Sequence, residues 1–72
     1  MEKNPVLVEF GRNLRAERNR AGLSQERLAE KTGIGFGQHI GKIERGEVNT
    51  SLLAIAAIMK ALDVSFDCLY RG

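Results

Sequence analysis

Three polar side chains in the middle of the chain are of types that bind the edges of DNA bases. Gln38 lies four residues before Lys42 and His39 lies three residues before it, so a helix would present all three on one face. Glutamine matches the hydrogen-bonding edge of adenine, whereas lysine and a histidine nitrogen can donate to the acceptors of guanine. The spacing suits a base-reading surface, and an ordinary solvated helix face would show the same pattern.

The same part of the chain lacks a set of groups for catalysis or metal binding. His39 is the only histidine and Cys68 the only cysteine among 72 residues, and neither belongs to a pattern of nucleophile, base and orienting group. A zinc site would need several Cys and His ligands, and a single cysteine cannot form an intramolecular disulfide. We therefore predict neither an enzyme nor a protein with a metal or another cofactor.

Charge is distributed unevenly along the chain, whose formal net charge is +2. Residues 1–46 carry nine Lys and Arg against six Asp and Glu, whereas residues 47–72 carry two against three. A basic first half suits a polyanionic partner, but it equally suits an ordinary solvated surface. The longest apolar run, Leu52 to Met59, has eight residues, far below the roughly 20 that a membrane span needs. With no apolar signal region at the N-terminus, the chain is predicted to be a cytoplasmic domain with no membrane partner.

The elements that must position these side chains are predicted to be helices of one domain, residues 1–72. Gly and Pro separate the apolar segments, and no stretch alternates like a strand. The start and stop signals predict five short helices: from Asn4-Pro5 to about Asn19, from the Ser24 cap to Thr32-Gly33, within Gly35 to Arg45, from an Asn49 or Thr50 cap to about Leu62, and over FDCLYR after a Ser65 cap. The second and third, joined by a glycine-centred turn, have the helix-turn-helix arrangement.

Three segments of the chain resemble one family of DNA-binding regulators. GLSQERLAEKTGI, HIGKIERGE and NTSLLAIAAIMKALDVS are similar to the phage repressor/Cro (xenobiotic-response-element) class of helix-turn-helix proteins, and the resemblance spans about residues 6–70. It implies a compact, all-α, five-helix repressor-like fold. Within this class, the small size resembles that of restriction–modification controller proteins and of small phage or mobile-element repressors.

The resemblance also implies roles for residues around the third helix. Gln25 would bind a DNA phosphate and brace the recognition helix, while Arg45 and Asn49 would contact the DNA backbone. Arg18 and Glu44 match an internal ion pair of the family, so both are expected to be structural. The full set of expected DNA-binding residues is Gln25, Phe36, Gly37, Gln38, His39, Lys42, Arg45 and Asn49.

The turn before the third helix departs from the family pattern. Members usually have six residues after the turn glycine, up to and including the first buried apolar residue of the recognition helix, whereas Gly33 to Ile40 gives seven. A longer or differently wound turn is expected at Gly35 to Gly37, where Phe36 could bulge outward or fold back as a plug. Replacing both of these glycines by alanine is expected to alter DNA affinity more than stability.

Apolar residues in the last third of the chain exceed what so small a domain can bury. The fourth helix is expected to fill the core with Leu52, Ile55, Ile58 or Met59, and Leu62. The remaining apolar residues form a second face, which predicts a twofold homodimer; its expected interface residues are Leu53, Ala57, Phe66, Leu69 and Tyr70. Cys68 is expected to be a small buried or interface side chain.

These observations favour a sequence-specific transcriptional regulator that binds double-stranded DNA. The two recognition helices of a homodimer would enter successive major grooves of a palindromic operator, about 34 Å apart. The alternative is an interaction module of the same fold, such as an antitoxin-like partner, without base-specific readout. Glu26 and Glu30, four residues apart on the second helix, could contact RNA polymerase as in activating family members, although a solvated acidic face is the simpler interpretation.

Overall fold

Four α-helices and one short 3-10 turn make up the fold. The computed structural model describes residues 3–72. In this range the elements are α1 (Pro5–Arg20), α2 (Gln25–Thr32), α3 (Gly37–Glu44), α4 (Leu52–Leu62) and the 3-10 turn (Phe66–Cys68). The all-α class is confirmed, and no strand occurs among the described residues. The prediction of five helices is wrong, because the last segment forms a single turn.

Hydrogen bonds hold the C-terminal segment against α1, and one of them joins the Arg71 amide to the Glu9 carboxylate at 3.0 Å. The side-chain amide of Asn13 donates to the Leu69 carbonyl at 2.8 Å, which fixes the backbone just after the turn. Ser65 is at the N-cap position as predicted, but its hydroxyl caps no backbone amide and instead donates to the Asp67 carboxylate at 2.6 Å. This bond lowers the pKa of Asp67 because it stabilises the ionised carboxylate.

The first two helices begin and end where the sequence signals predict. The Asn4 side chain accepts a hydrogen bond from the backbone at the start of α1, with Pro5 in the first position. The Ser24 hydroxyl does the same at the start of α2. Gly33 then ends α2 in the left-handed conformation, with φ of 68°.

The start of α4 differs from the prediction. Neither Asn49 nor Thr50 caps this helix; the Ser51 hydroxyl accepts a hydrogen bond of 3.1 Å from the Ala54 amide. Residues 49–51 are all of types that favour the N-cap position, so residue type alone does not select one of them. The later start leaves Asn49 exposed and without a capping role.

One hydrophobic core joins the four helices. Its buried apolar residues are Phe10, Leu14, Leu28, Ala29, Ile40, Ile43, Ala54, Ile58 and Leu69. Leu7 of α1 is half-buried and lies outside this core. Within residues 3–72, no helix combines the length and the apolar character that crossing a membrane requires.

The inward face of α4 includes the predicted Ile58 but differs from the prediction at Leu52. Ala54 and Ile58, four residues apart, are buried, whereas Leu52 is 79% exposed and does not belong to the core. A helix turns about 100° per residue, so Leu52 lies about 200° from Ala54 and faces away from the interior. Three other residues that the pattern predicts for the core pack at its edge: Ile55, Met59 and Leu62.

Gly11 allows α1 to lie directly against the end of α3. A Cβ atom at this position would clash with the carbonyl oxygens of Ile43 and Glu44, the latter only 2.5 Å away. The two backbones therefore touch, and no residue larger than glycine fits without moving one helix. This contact positions the last turn of α3, the helix that carries the candidate DNA-binding residues.

Candidate DNA-binding interface

The connection between α2 and α3 accommodates the extra residue of this sequence. Four residues, 33–36, separate the two helices. Gly33 and Gly35 both have φ of 68°, a left-handed conformation that favours glycine, while Phe36 is extended and immediately precedes α3. The turn is thus wound by two left-handed glycines, and the Phe36 side chain bulges outward with 82% of its surface exposed.

Gly37 has a different role from the turn glycines, because its φ is not in the left-handed region. A Cβ atom at Gly37 would lie 2.8 Å from the Glu26 side chain and 3.1 Å from the Glu26 backbone nitrogen. The missing side chain therefore lets the start of α3 pack against the first turn of α2. The structure places Gly37 between the helices, and a contact of this residue with DNA remains a prediction.

The outer face of α3 carries the polar residues that the sequence analysis singles out. Gln38 and Lys42 are exposed, while Ile40 and Ile43 on the opposite face are buried. Among residues 3–72, neither Gln38 nor Lys42 has a side-chain hydrogen bond or an ion pair. Their donors and acceptors are therefore available to an external partner.

His39 differs from its two neighbours on this face. It is half-buried, and its backbone amide donates to the Phe36 carbonyl at 2.9 Å in the first turn of α3. A Cβ atom at Gly35 would lie 3.2 Å from the His39 Cβ, so the His39 side chain packs against the turn at Gly35. His39 thus has less freedom than Gln38 and Lys42 to adapt to a base edge.

A buried ion pair holds the far end of α3. The Arg18 guanidinium donates to both oxygens of the Glu44 carboxylate, at 2.5 and 3.1 Å, and a third bond of 2.7 Å reaches the Leu23 carbonyl. Only 11% of the Arg18 side chain and 3% of the Glu44 side chain are exposed. The predicted ion pair is thus present and buried, and it connects α1 to α3.

Gln25 links α2 to the same carboxylate. Its side-chain amide donates to Glu44 Oε1 at 3.1 Å, in the position that bracing of the recognition helix requires. A Cβ atom at Gly41 would lie 3.3 Å from both Nε2 and Oε1 of Gln25, so the glycine makes room for this amide. The hydrogen bond by which Gln25 supports the end of α3 is present in the structure, whereas a contact of Gln25 with a DNA phosphate remains a prediction.

Arg45, just after α3, is exposed but already has a partner. Its guanidinium lies 2.8 and 3.4 Å from the two oxygens of Glu47. This hydrogen bond raises the pKa of Arg45 and lowers the pKa of Glu47, because each charge stabilises the other. A DNA phosphate would therefore have to compete with Glu47 for Arg45.

Of the five exposed large apolar side chains among residues 3–72, three lie on α4 or in the 3-10 turn. Leu52 is 79% exposed, Leu53 81% and Phe66 44%. A groove of about 600 Å³ runs between α4 and the 3-10 turn, lined by Leu52, Ile55, Ala56, Met59, Lys60, Val64 and Phe66. Leu52 is absent from the predicted interface because the α4 pattern assigns it to the core.

The other predicted interface residues differ in how far they reach the surface. Ala57 and Cys68 are half-buried, and the half-buried Tyr70 has its ring centroid 6.3 Å from that of Phe66. Leu69 is fully buried in the core of its own chain. Its side chain therefore has no surface to offer a second copy, because the C-terminal segment is folded back on α1.

Comparison with known proteins agrees with this geometry. A family model described as Helix-turn-helix matches residues 14–67. The chain is 40% identical over 65 residues to Control protein C.SmaI of Serratia marcescens, over 90% of this chain and 73% of that protein.

Two solved structures of bacterial regulators are also similar. The restriction–modification controller protein C.AhdI from Aeromonas hydrophila is 42% identical, with a TM-score of 0.83 over 89% of this chain and 96% of the other. The clp gene regulator ClgR from Corynebacterium glutamicum is 26% identical, with a TM-score of 0.84 over 94% of this chain and 72% of the other. These similar proteins are regulators and controller proteins, not enzymes.

Proposed function

Because the chain belongs to the helix-turn-helix family of transcriptional regulators, we propose that it binds double-stranded DNA sequence-specifically with α3 in the major groove. The observation that carries this proposal is the outer face of α3. Gln38 and Lys42 are exposed there without partners among the described residues, on a helix whose other face is fixed in the core. A rigidly held helix with free donors and acceptors is what direct base readout requires.

Contacts to the DNA backbone would set the position of α3. Gln25 lies at the first position of α2, where backbone amides have no partner within the helix and favour a phosphate. Arg45 and Asn49 are exposed beyond the other end of α3. Three such groups, on both sides of the recognition helix, would anchor the protein without selecting a sequence.

The proposed active form is a homodimer on a palindromic operator. Leu52, Leu53 and Phe66 expose apolar surface beside the α4 groove, and a second copy of the chain would cover it through a twofold axis. Successive major grooves on one side of DNA lie about 34 Å apart. The longest dimension of the chain is 30 Å, so two copies side by side are of suitable size to place one α3 in each groove.

Among regulators, a restriction–modification controller is the type that the similarities favour. C.AhdI is described as a restriction–modification controller protein and is 42% identical to this chain. C.SmaI is described as a control protein and is 40% identical. Both similarities extend over most of the two chains compared. This chain would accordingly act in the bacterial cytoplasm on genes of a restriction–modification system. Adjacent genes for a restriction enzyme and a methyltransferase would support this; an integrase gene would instead indicate a phage or mobile-element repressor.

Activation through RNA polymerase is a further part of the proposal, and Glu26 is the side chain best placed for it. Glu26 is exposed at the start of α2, whereas Glu30 lies 3.4 Å from Arg27, which offsets its charge. In transcription reactions with RNA polymerase, Glu26→Gln should reduce activation without weakening operator binding. Equal activation by the wild type and this variant would remove Glu26 from the contact.

Selection of binding sites from randomised DNA tests the central proposal. The wild-type chain should enrich a palindrome, and its affinity should fall steeply with salt because phosphate contacts release counterions. Gln38→Ala and Lys42→Ala should each weaken binding to the selected site by about 5- to 100-fold and reduce the preference over random DNA. Lys31→Ala, which removes the same charge as Lys42→Ala from an exposed position on α2, is the matched control.

Two outcomes would contradict the proposal. If no sequence is enriched at any moderate salt concentration, base readout is absent and the interaction module remains. If Lys31→Ala and Lys42→Ala weaken binding equally, the charge alone matters and α3 does not read bases.

A further inference from the structure

Phe36 is the most exposed large apolar side chain among residues 3–72. Its ring is 82% exposed, at the tip of the turn that precedes α3. Burying a phenylalanine stabilises a fold by about 1.5–3 kcal/mol. Because the ring of Phe36 is exposed, it contributes almost none of this stabilisation. The stability of the fold therefore does not explain why residue 36 is a phenylalanine.

The backbone role of Phe36 does not account for it either. Residue 36 is the N-cap of α3: its carbonyl accepts from the amides of His39 at 2.9 Å and Ile40 at 3.3 Å. Ser, Thr, Asp or Asn would also cap the helix through the side chain, but phenylalanine forms no such bond here. The sequence thus has an apolar ring where the helix would be stabilised by a polar residue.

Polar side chains border the ring on both sides. On one side lie Gln38, His39 and Lys42, which share a shallow groove with Phe36 and the half-buried Ile34. On the other side, the groove between α2 and α3 is lined by Gln25 and two glutamates along with Phe36. The apolar groove of α4 has no lining residue in common with either. A second copy seated on α4 therefore would not extend its apolar contact to Phe36.

We propose that Phe36 contacts the C5-methyl group of a thymine in each half-site, next to the bases that Gln38 and Lys42 read. This inference rests on the proposed binding of α3 in the major groove. In that groove the thymine methyl is the one apolar group among donors and acceptors, as Phe36 is the one apolar ring in the polar surface around α3. Gly35, at φ of 68°, and the extended Phe36 backbone direct the ring outward ahead of the helix.

A uracil scan tests this contact directly. In the operator selected by the wild-type chain, each thymine of one half-site is replaced in turn by deoxyuridine, which removes only the C5-methyl group. Affinities of wild type and Phe36→Ala are then measured by fluorescence anisotropy at fixed salt. For the wild type, one position should weaken binding about fourfold, the effect of one buried methyl group of about 0.8 kcal/mol.

Phe36→Ala should bind the thymine and uracil operators equally at that position, while other thymine positions keep their wild-type effects. Phe36→Leu, which retains apolar surface, should keep part of the thymine preference. The melting temperature of Phe36→Ala should match the wild type, because the ring is exposed. The slope of affinity against salt should also be unchanged, because the ring contacts no phosphate.

The outcomes separate this contact from the proposed function. If the wild type selects a sequence but tolerates uracil at every position, or if Phe36→Ala retains the same uracil effect, the thymine contact is refuted and DNA readout by α3 stands. A ring that wedges between base pairs would give that result together with weaker binding by Phe36→Ala to every operator. If the wild type enriches no sequence, both are refuted.

Discussion

Gln25, the first residue of α2, donates a hydrogen bond of 3.1 Å to Glu44, the last residue of α3. The Glu44 carboxylate also accepts hydrogen bonds from Nε and Nη2 of Arg18, which lies on α1. One buried carboxylate thus joins three helices at the end of α3 that lies away from the Gly35–Phe36 turn. Local sequence signals place each helix separately, but this carboxylate fixes their relative orientation.

Removing Arg18 should destabilise the domain strongly. Arg18→Ala leaves Glu44 as a buried charge without its main partner, and such a loss typically costs about 3–5 kcal/mol. Urea denaturation followed by circular dichroism measures the free energy of unfolding. Arg15→Ala, an exposed position on the same helix, should change it by less than about 0.5 kcal/mol. A loss below about 1 kcal/mol for Arg18→Ala would mean that Gln25 and solvent are sufficient to support Glu44.

The two glycines around Phe36 should affect stability, which revises the expectation from the sequence. Gly35→Ala forces a Cβ into the left-handed conformation, at a cost of about 1–2 kcal/mol. Gly37→Ala brings a Cβ to 2.8 Å from the Glu26 side chain and 3.1 Å from its backbone nitrogen, so the start of α3 must move away from α2.

Thermal unfolding and operator affinity, measured on each single variant, distinguish these effects. We expect both variants to melt below the wild type and Gly37→Ala to lose more operator affinity, because it moves the helix that reads DNA. Variants that melt like the wild type but bind DNA more weakly would restore the original expectation of a purely functional turn.

Glu47 should weaken DNA binding in the wild type by holding the Arg45 guanidinium. Glu47→Gln frees that group for a phosphate, so operator affinity should rise about two- to fivefold, and the slope of affinity against salt should become steeper. Asp63→Asn, which removes one negative charge at the end of α4, is the control and should have a smaller effect. Tighter binding of equal size in both variants would indicate a general effect of net charge.

The ion pair between Arg45 and Glu47 also predicts how the difference in operator affinity between the wild type and Glu47→Gln depends on pH. Arg45 lowers the pKa of Glu47, so the carboxylate stays ionised throughout the neutral range. The ion pair is present above the ordinary glutamate pKa and is lost only as the pH falls through the lowered value. The ratio of the operator affinity of Glu47→Gln to that of the wild type should therefore be constant between about pH 6 and 8. A ratio that changes across this range would contradict an Arg45–Glu47 ion pair that persists through neutral pH.

A charge at Leu53 should prevent dimerisation without unfolding the chain. Leu53 is 81% exposed, so Leu53→Glu disturbs no core packing, but it places a carboxylate in the proposed interface. Sedimentation velocity should show a monomer, and operator affinity should fall because only one half-site is held at a time. Val6→Glu adds the same charge at an exposed apolar position on α1 and should remain a dimer. Unchanged assembly of Leu53→Glu would exclude this face as the interface.

The sequence predicted those features that depend on local signals. Ser24 and Gly33 bound α2 as expected, because a capping hydroxyl and a left-handed glycine act within one turn of the chain. The inward face of α4 was predictable only in part. Periodicity predicted Ile58 in the core, but from Leu52 to Met59 every residue is apolar, so it did not distinguish the buried Ala54 from the exposed Leu52.

Sequence patterns also could not predict the close helix contacts at Gly11 and Gly37. Gly11 and Gly37 have ordinary helical positions in the chain, and only the approach of a second helix makes a side chain impossible there. Leu69 lies in an apparent helix pattern, yet its side chain is buried in the core and its carbonyl accepts a hydrogen bond from Asn13 of α1. In each case a partner distant in sequence decides the outcome.

The freedom of Gln38 and Lys42 has a consequence for how such a regulator evolves. Neither side chain makes a hydrogen bond or an ion pair within residues 3–72, and the residues that hold α3 in place are different ones. If α3 reads bases as proposed, substitutions at these two positions would change the preferred operator without loss of stability. A duplicated copy of the gene could acquire a new target by single mutations, while the parent copy continues to recognise the old one.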